Sequence, residues 1–134
     1  MLSLEQTTLL NHAKASLQSQ EASGRRAPCF GLHLSQDGRT EEHSRSCEPG
    51  QEEQLFSWVI EQLEAAVAEG AICTALLVPL ERASSDTEGG VMLDLQQRAG
   101  SRLVGVLPWT LEGAWLSFGE PALTTRAAAL FRAA

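Results

Sequence analysis

The feature that most constrains this chain is a change of hydrophobic period at Gly70. Before it, Leu55, Phe56, Val59, Ile60, Leu63, Ala66 and Val67 recur at helical spacing. Glu61, Glu64 and Glu69 oppose them on the other side, and this arrangement predicts an amphipathic helix. Pro49 suits the first turn, where its missing N–H costs nothing, and Glu52 and Glu53 complement the positive end of the dipole. Gly70 supplies the stop.

After Gly70 the pattern belongs to strands. Ile72 to Leu80 is nearly continuous in apolar residues, as in a strand covered on both faces, and Pro79 requires an edge or a bulge near its end. Arg82 to Gly90 reads as a loop. Val91, Leu93 and Leu95 then alternate with Met92, Asp94, Gln96 and Arg98. Ala99-Gly100 separates this run from Arg102 to Trp109, and Glu112-Gly113 separates that from Ala114 to Phe118, which predicts an antiparallel meander.

The N-terminal half adds a helix and a hairpin. Ser3 and Gln6 fit a capping box, followed by Leu9, Leu10, Ala13 and Leu17 at helical spacing, so a helix is expected over 3–22. Phe30, Leu32 and Leu34 alternate before Gln36-Asp37-Gly38, which predicts a strand and a tight turn, with a short returning strand from Arg39. Thr40 to Gln54 reads as a surface loop that could hold a weak edge strand. At the C-terminus, Thr124 or Thr125 can cap a helix over 124–134; this and the first helix are set apart as candidate peripheral elements. The expectation is one α+β domain over 1–134: an antiparallel sheet with a C-terminal β-meander, covered on one face by helices.

With 134 residues, 43 % of them hydrophobic, the chain has the size and composition of a single folded domain. Its net charge of −7 opposes nonspecific binding to nucleic acid and to anionic membranes. No apolar run reaches the length of a membrane span, and Met1 to Ser23 does not have the layout of a signal peptide. The three cysteines, Cys29, Cys47 and Cys73, are an odd, widely spaced set that suits free thiols in a cytoplasmic setting.

The sharpest chemical constellation is Cys29-x3-His33-x9-His43-x3-Cys47, whose residue types suit tetrahedral zinc. On a strand, residues four apart are separated by about 13 Å, so the spacing serves one ion only if both segments are helical or irregular. His12, His33 and His43 each have an ordinary surface explanation, and no catalytic residue is assigned. Asp94 and Glu112, with Asp86 and Glu88, are carboxylates near the meander whose separation the sequence leaves open. There is neither a G-x-G-x-x-G nor a Gly-Lys-Ser/Thr fingerprint, and no cofactor is expected. Trp109 and Trp115 flank one predicted hairpin and fall on opposite faces unless a bulge intervenes. An exposed Trp beside Leu111 and Leu116 would form a partner-binding anchor.

The segments Ile72 to Leu80, Gly90 to Gly100, Val106-Leu-Pro-Trp109 and Phe118-Gly-Glu-Pro121 resemble a group of small bacterial domains of uncharacterised function. The resemblance covers about half the chain and implies a bacterial cytosolic α+β protein; it carries no functional residue. Acidic type III secretion chaperones and roadblock-like domains are similar in element order and size, which is a fold-level analogy. Three readings follow. The first is a non-catalytic protein-interaction or assembly domain, acting on a protein partner or by self-association. The second is an acidic homodimer like the secretion chaperones. The third is a small metal-binding protein or enzyme using Cys29 and His33, or Asp94 with neighbouring carboxylates.

Overall fold

A computed structural model describes residues 2–80, 87–98, 100–127 and 129–131. Two helices and seven strands follow in the order α1 (Leu4–Ser23), β1 (Phe30–Leu34), β2 (Thr40–His43), α2 (Glu52–Ala68), β3 (Cys73–Pro79), β4 (Glu88–Gln97), β5 (Arg102–Glu112), β6 (Trp115–Phe118) and β7 (Ala122–Arg126). All pairings are antiparallel. The sheet order is β2-β1-β3-β4-β5-β6, and β7 pairs with β5 beside β6. The α+β class and the C-terminal meander expected from the sequence are both present.

Local chemistry sets several boundaries, although α2 begins at Glu52 with no side-chain cap, past the Pro49 start that the sequence suggests. Ser3 and Gln6 form the reciprocal capping box that starts α1, and Gly24, at φ 70°, ends it in the left-handed conformation that glycine adopts without strain. In the β1–β2 hairpin, Ser35 donates its N–H to the Arg39 carbonyl and Gly38, at φ 86°, takes the left-handed position of a three-residue loop. The last tight turn sits one residue later than the sequence suggested. Glu112 pairs with Trp115, so Gly113 and Ala114 are the turn residues.

Strand alternation divides the core between two faces. Leu32, Ala75, Leu77, Val91, Leu93, Leu95 and Leu107 pack with Leu9, Leu10, Ala13 and Leu17 of α1. On the reverse face Leu55, Val59 and Leu63 of α2 pack with Cys29, and Leu76 and Val78 adjoin them. The two helices therefore cover opposite faces of the sheet, where the sequence pattern suggests one, because the strands carry apolar side chains on both faces: α1 crosses β1, β3, β4 and β6 on one side and α2 lies over β1 and β2 on the other. Burial of these aliphatic side chains, at about 1.5–3 kcal/mol for each one fully buried, is the main stabilising contribution.

Two local expectations are corrected. Thr124 and Thr125 do not cap a helix; they pair with Val104 and Leu103 in β7, because β6 covers only Trp109–Glu112 of the long β5 and leaves its first half open to another strand. Residues 129–131 are also non-helical, and 128 and 132–134 lie outside the described residues. Of the loop expected over Arg82 to Gly90, 82–86 lie outside the described residues, and from Glu88 onward it is already β4. No described helix is long and apolar enough to cross a membrane.

Candidate functional site

Two regions stand out: an exposed strip of the sheet's reverse face, which no described helix covers, and a polar cluster on the β1–β2 hairpin. The strip arises because α2 stops at β1 and β2. Val78 of β3, Met92 of β4 and Val106 of β5 are laterally paired on that face, and Leu80 extends the row. Met92 is 42 % exposed, Leu80 43 % and Val106 37 %. Phe56 of α2, also exposed, borders the strip through a cleft of about 440 Å³ lined by Pro28, Cys29, Glu52, Glu53, Ser57 and Val78. Glu88 stands at the far end of the same face.

The lower end of that face is closed. Asp94 receives two hydrogen bonds from Arg102, at 3.0 and 2.7 Å, and Arg102 also donates to the Ala127 carbonyl. The buried amide oxygen of Gln96 accepts from the backbone N–H groups of Ala129 and Leu130, both at 2.9 Å. Leu130 thereby reaches the α2 cluster and Phe131 packs beneath the Arg98 guanidinium. Asp94 is thus tied into an ion pair, which gives it a structural role.

The residues proposed as a Trp-centred anchor divide between the faces. Trp109 and Leu116 are buried in the α1 core, and Leu111 packs against it half-buried. Trp115 alone is outward, 66 % exposed across from Glu112 at the hairpin tip. Gly89 makes room for Trp109: a Cβ there would lie 2.3 Å from the indole.

The Cys29, His33, His43 and Cys47 constellation likewise separates. Cys29, Gly31 and His33 point to the same face along β1, Cys29 near the start of α2 and His33 beside its end, with Ala66 and Glu69. Burial first, and Cys47 second, raise the Cys29 thiol. Cys47 packs against the same cluster as Cys29, and all three thiols are free. The four-ligand site is therefore not assembled, because a strand carries Cys29 away from His33.

The histidines do meet, across the hairpin. Register pairs His33 with Glu41 and Gly31 with His43, so His33, Glu41 and His43 share a face. Nδ1 of His33 lies 2.7 Å from Nε2 of His43, and the rings are inclined by 20°. Nε2 of His33 is 3.5 Å from a Glu41 carboxylate oxygen. Burial, then the neighbouring His33, hold His43 below the usual imidazole range, against the opposing pull of Glu41 and Glu42. Glu41 is a member of this cluster that the spacing argument missed; only the hairpin register brings it in.

Among the described residues this is the one group of three or more His, Cys, Asp or Glu side chains placed to share an ion. No family model, no curated protein and no solved structure matches the chain.

Proposed function

We propose that the protein is a non-catalytic interaction domain of the bacterial cytoplasm that receives an amphipathic, basic-flanked helix of a protein partner on the reverse face of its sheet. The exposed row Leu80, Met92 and Val106, continued on β3 by the half-buried Val78 at the margin of the α2 cluster, carries this reading. Three adjacent strands span roughly 10 Å, which is the width of one helix, and the space lies beside α2, where a second helix would complete the layer. Contiguous apolar surface of this kind is a recurrent mark of partner sites.

Charge selects the occupant. Glu52 and Glu53 line the cleft at one side of the row and Glu88 stands at its end, while the whole chain carries −7. A helix with Lys or Arg flanking its apolar face is attracted, whereas a second copy of the same acidic chain is repelled. Trp115, at the tip of the β5–β6 hairpin, offers a separate exposed aromatic contact.

The test is calorimetric titration with a short helical peptide of Leu and Lys arranged on opposite faces, against a scrambled peptide of the same composition. Saturable one-to-one binding to the amphipathic peptide only, lost in Met92→Asp and Val106→Asp and weakened by salt, is the expected result. Equal binding of both peptides, or indifference to the two substitutions, would overturn the proposal. A concentration-dependent dimer dispersed by the same substitutions would assign the face to self-association instead.

A further inference from the structure

We propose that His33, His43 and Glu41 form a binding site for one divalent transition-metal ion of the zinc class, independent of the sheet face assigned above. Imidazole nitrogen and carboxylate oxygen are the donors such ions take, and ligand atoms of all three residues lie within 4.8 Å of one another. The two imidazoles already converge through Nδ1 of His33 and Nε2 of His43 at 2.7 Å. Tetrahedral zinc with Zn–N bonds of about 2.0–2.1 Å holds two such nitrogens roughly 3.3 Å apart, so the pair must open by only about half an ångström. His43 can yield that distance. It ends a four-residue edge strand, and its side chain is half-buried, whereas His33 is fixed in the buried second strand.

The surroundings favour a cation. His33 lines a cleft with Asp37 and Glu69, at the carbonyl end of α2, where the helix dipole is negative and the last turn has no basic residue. Arg98 caps two of the nearby carbonyls, those of Val67 and Ala71. Thr74, directly opposite His33 in β3, carries a buried hydroxyl oxygen with no hydrogen-bond partner among the described residues. Glu41 lies 3.5 Å from Nε2 of His33, the other ring nitrogen, and its exposed carboxylate must swing toward Nδ1 to become the third donor; the ion then keeps one position for water or for an outside ligand, the arrangement of an open site.

Zinc titration in competition with a chromophoric chelator tests this on the full chain. One equivalent should bind, with imidazole nitrogen NMR shifts confined to His33 and His43. His43→Gln, a half-buried edge position, should weaken binding by more than the roughly 10- to 100-fold that loss of an outer partner costs, and Glu41→Gln by about tenfold. Cys29→Ser and Cys47→Ser should leave affinity unchanged. Absence of stoichiometric binding, full affinity in His43→Gln, or loss of binding in either serine variant would overturn the proposal. Because His43→Gln alters only the half-buried end of an edge strand, circular dichroism of that variant separates lost ligation from lost fold.

Discussion

Gly31 of β1 faces Val59 of α2 so closely that a Cβ at Gly31 would lie 2.9 Å from the Val59 Cγ1. Leu63 lies 3.2 Å from the same point, and both side chains are fully buried. This glycine sets how near α2 sits to the sheet, and so how far its cover reaches. Gly31→Ala is expected to destabilise the fold by about 1–3 kcal/mol through overpacking. The effect should be read as a lower urea midpoint at unchanged slope. An unchanged midpoint would show that α2 can back away without loss.

Gln96 holds the C-terminal segment in place, its one amide oxygen taking two backbone N–H groups in a buried setting. Gln96→Ala leaves the Ala129 and Leu130 donors to find water. A loss of about 1–3 kcal/mol is expected, with faster amide exchange confined to the residues around Leu130. If exchange instead rose across β4 and β5, Gln96 would be supporting the sheet itself.

Much of the fold was legible because single-element patterns decided it: the Leu55–Val67 face, the alternation of Val91, Leu93 and Leu95, and the glycine turns all encode their outcome locally. β7 was not legible. Thr124 to Arg126 become a strand because the first half of β5 lacks a neighbour, and Gly105 lets the Ala122 carbonyl approach to 1.8 Å from where a Cβ would be. That vacancy depends on how short β6 is. The histidine cluster was hidden for a related reason: spacing along β1 separates Cys29 from His33, whereas the contact of His33 with His43 runs across strands. The Asp37-Gly38 turn carried the signal, since fixing it as a three-residue loop sets the register that joins them. Likewise, the sequence groups Trp115 with Trp109, Leu111 and Leu116, and only the pairing with Glu112 decides that Trp115 alone points outward.

The three thiols should react in an order set by burial. Cys73 is inaccessible in β3, and burial, with Glu5 nearby, pushes its thiol up to about 12. Cys29 is buried and shifted the same way, while Cys47 is half-buried beside the loop before α2. Since thiolate is the nucleophile, iodoacetamide at mildly alkaline pH should label Cys47 first, Cys29 slowly and Cys73 only on unfolding. Peptide mass mapping over time gives the order, and early labelling of Cys73 would contradict the packing of β3 under α1.

His43 should make the metal-free protein weaker in acid. Its folded pKa lies below the unfolded value of 6.5, owing first to burial and second to His33, with Glu41 and Glu42 opposing. Between the two values the unfolded chain binds more protons, so stability rises with pH there. The contribution is complete above the unfolded value, declines as pH falls through the folded one, and changes no further below both. Chelator-treated protein should therefore show a urea midpoint that drops between neutral and mildly acidic pH, and His43→Gln should show a smaller drop across the same interval. The comparison isolates this histidine from carboxylates that titrate in both proteins; parallel curves would mean that protonating His43 costs the fold nothing and that the hairpin opens freely to water.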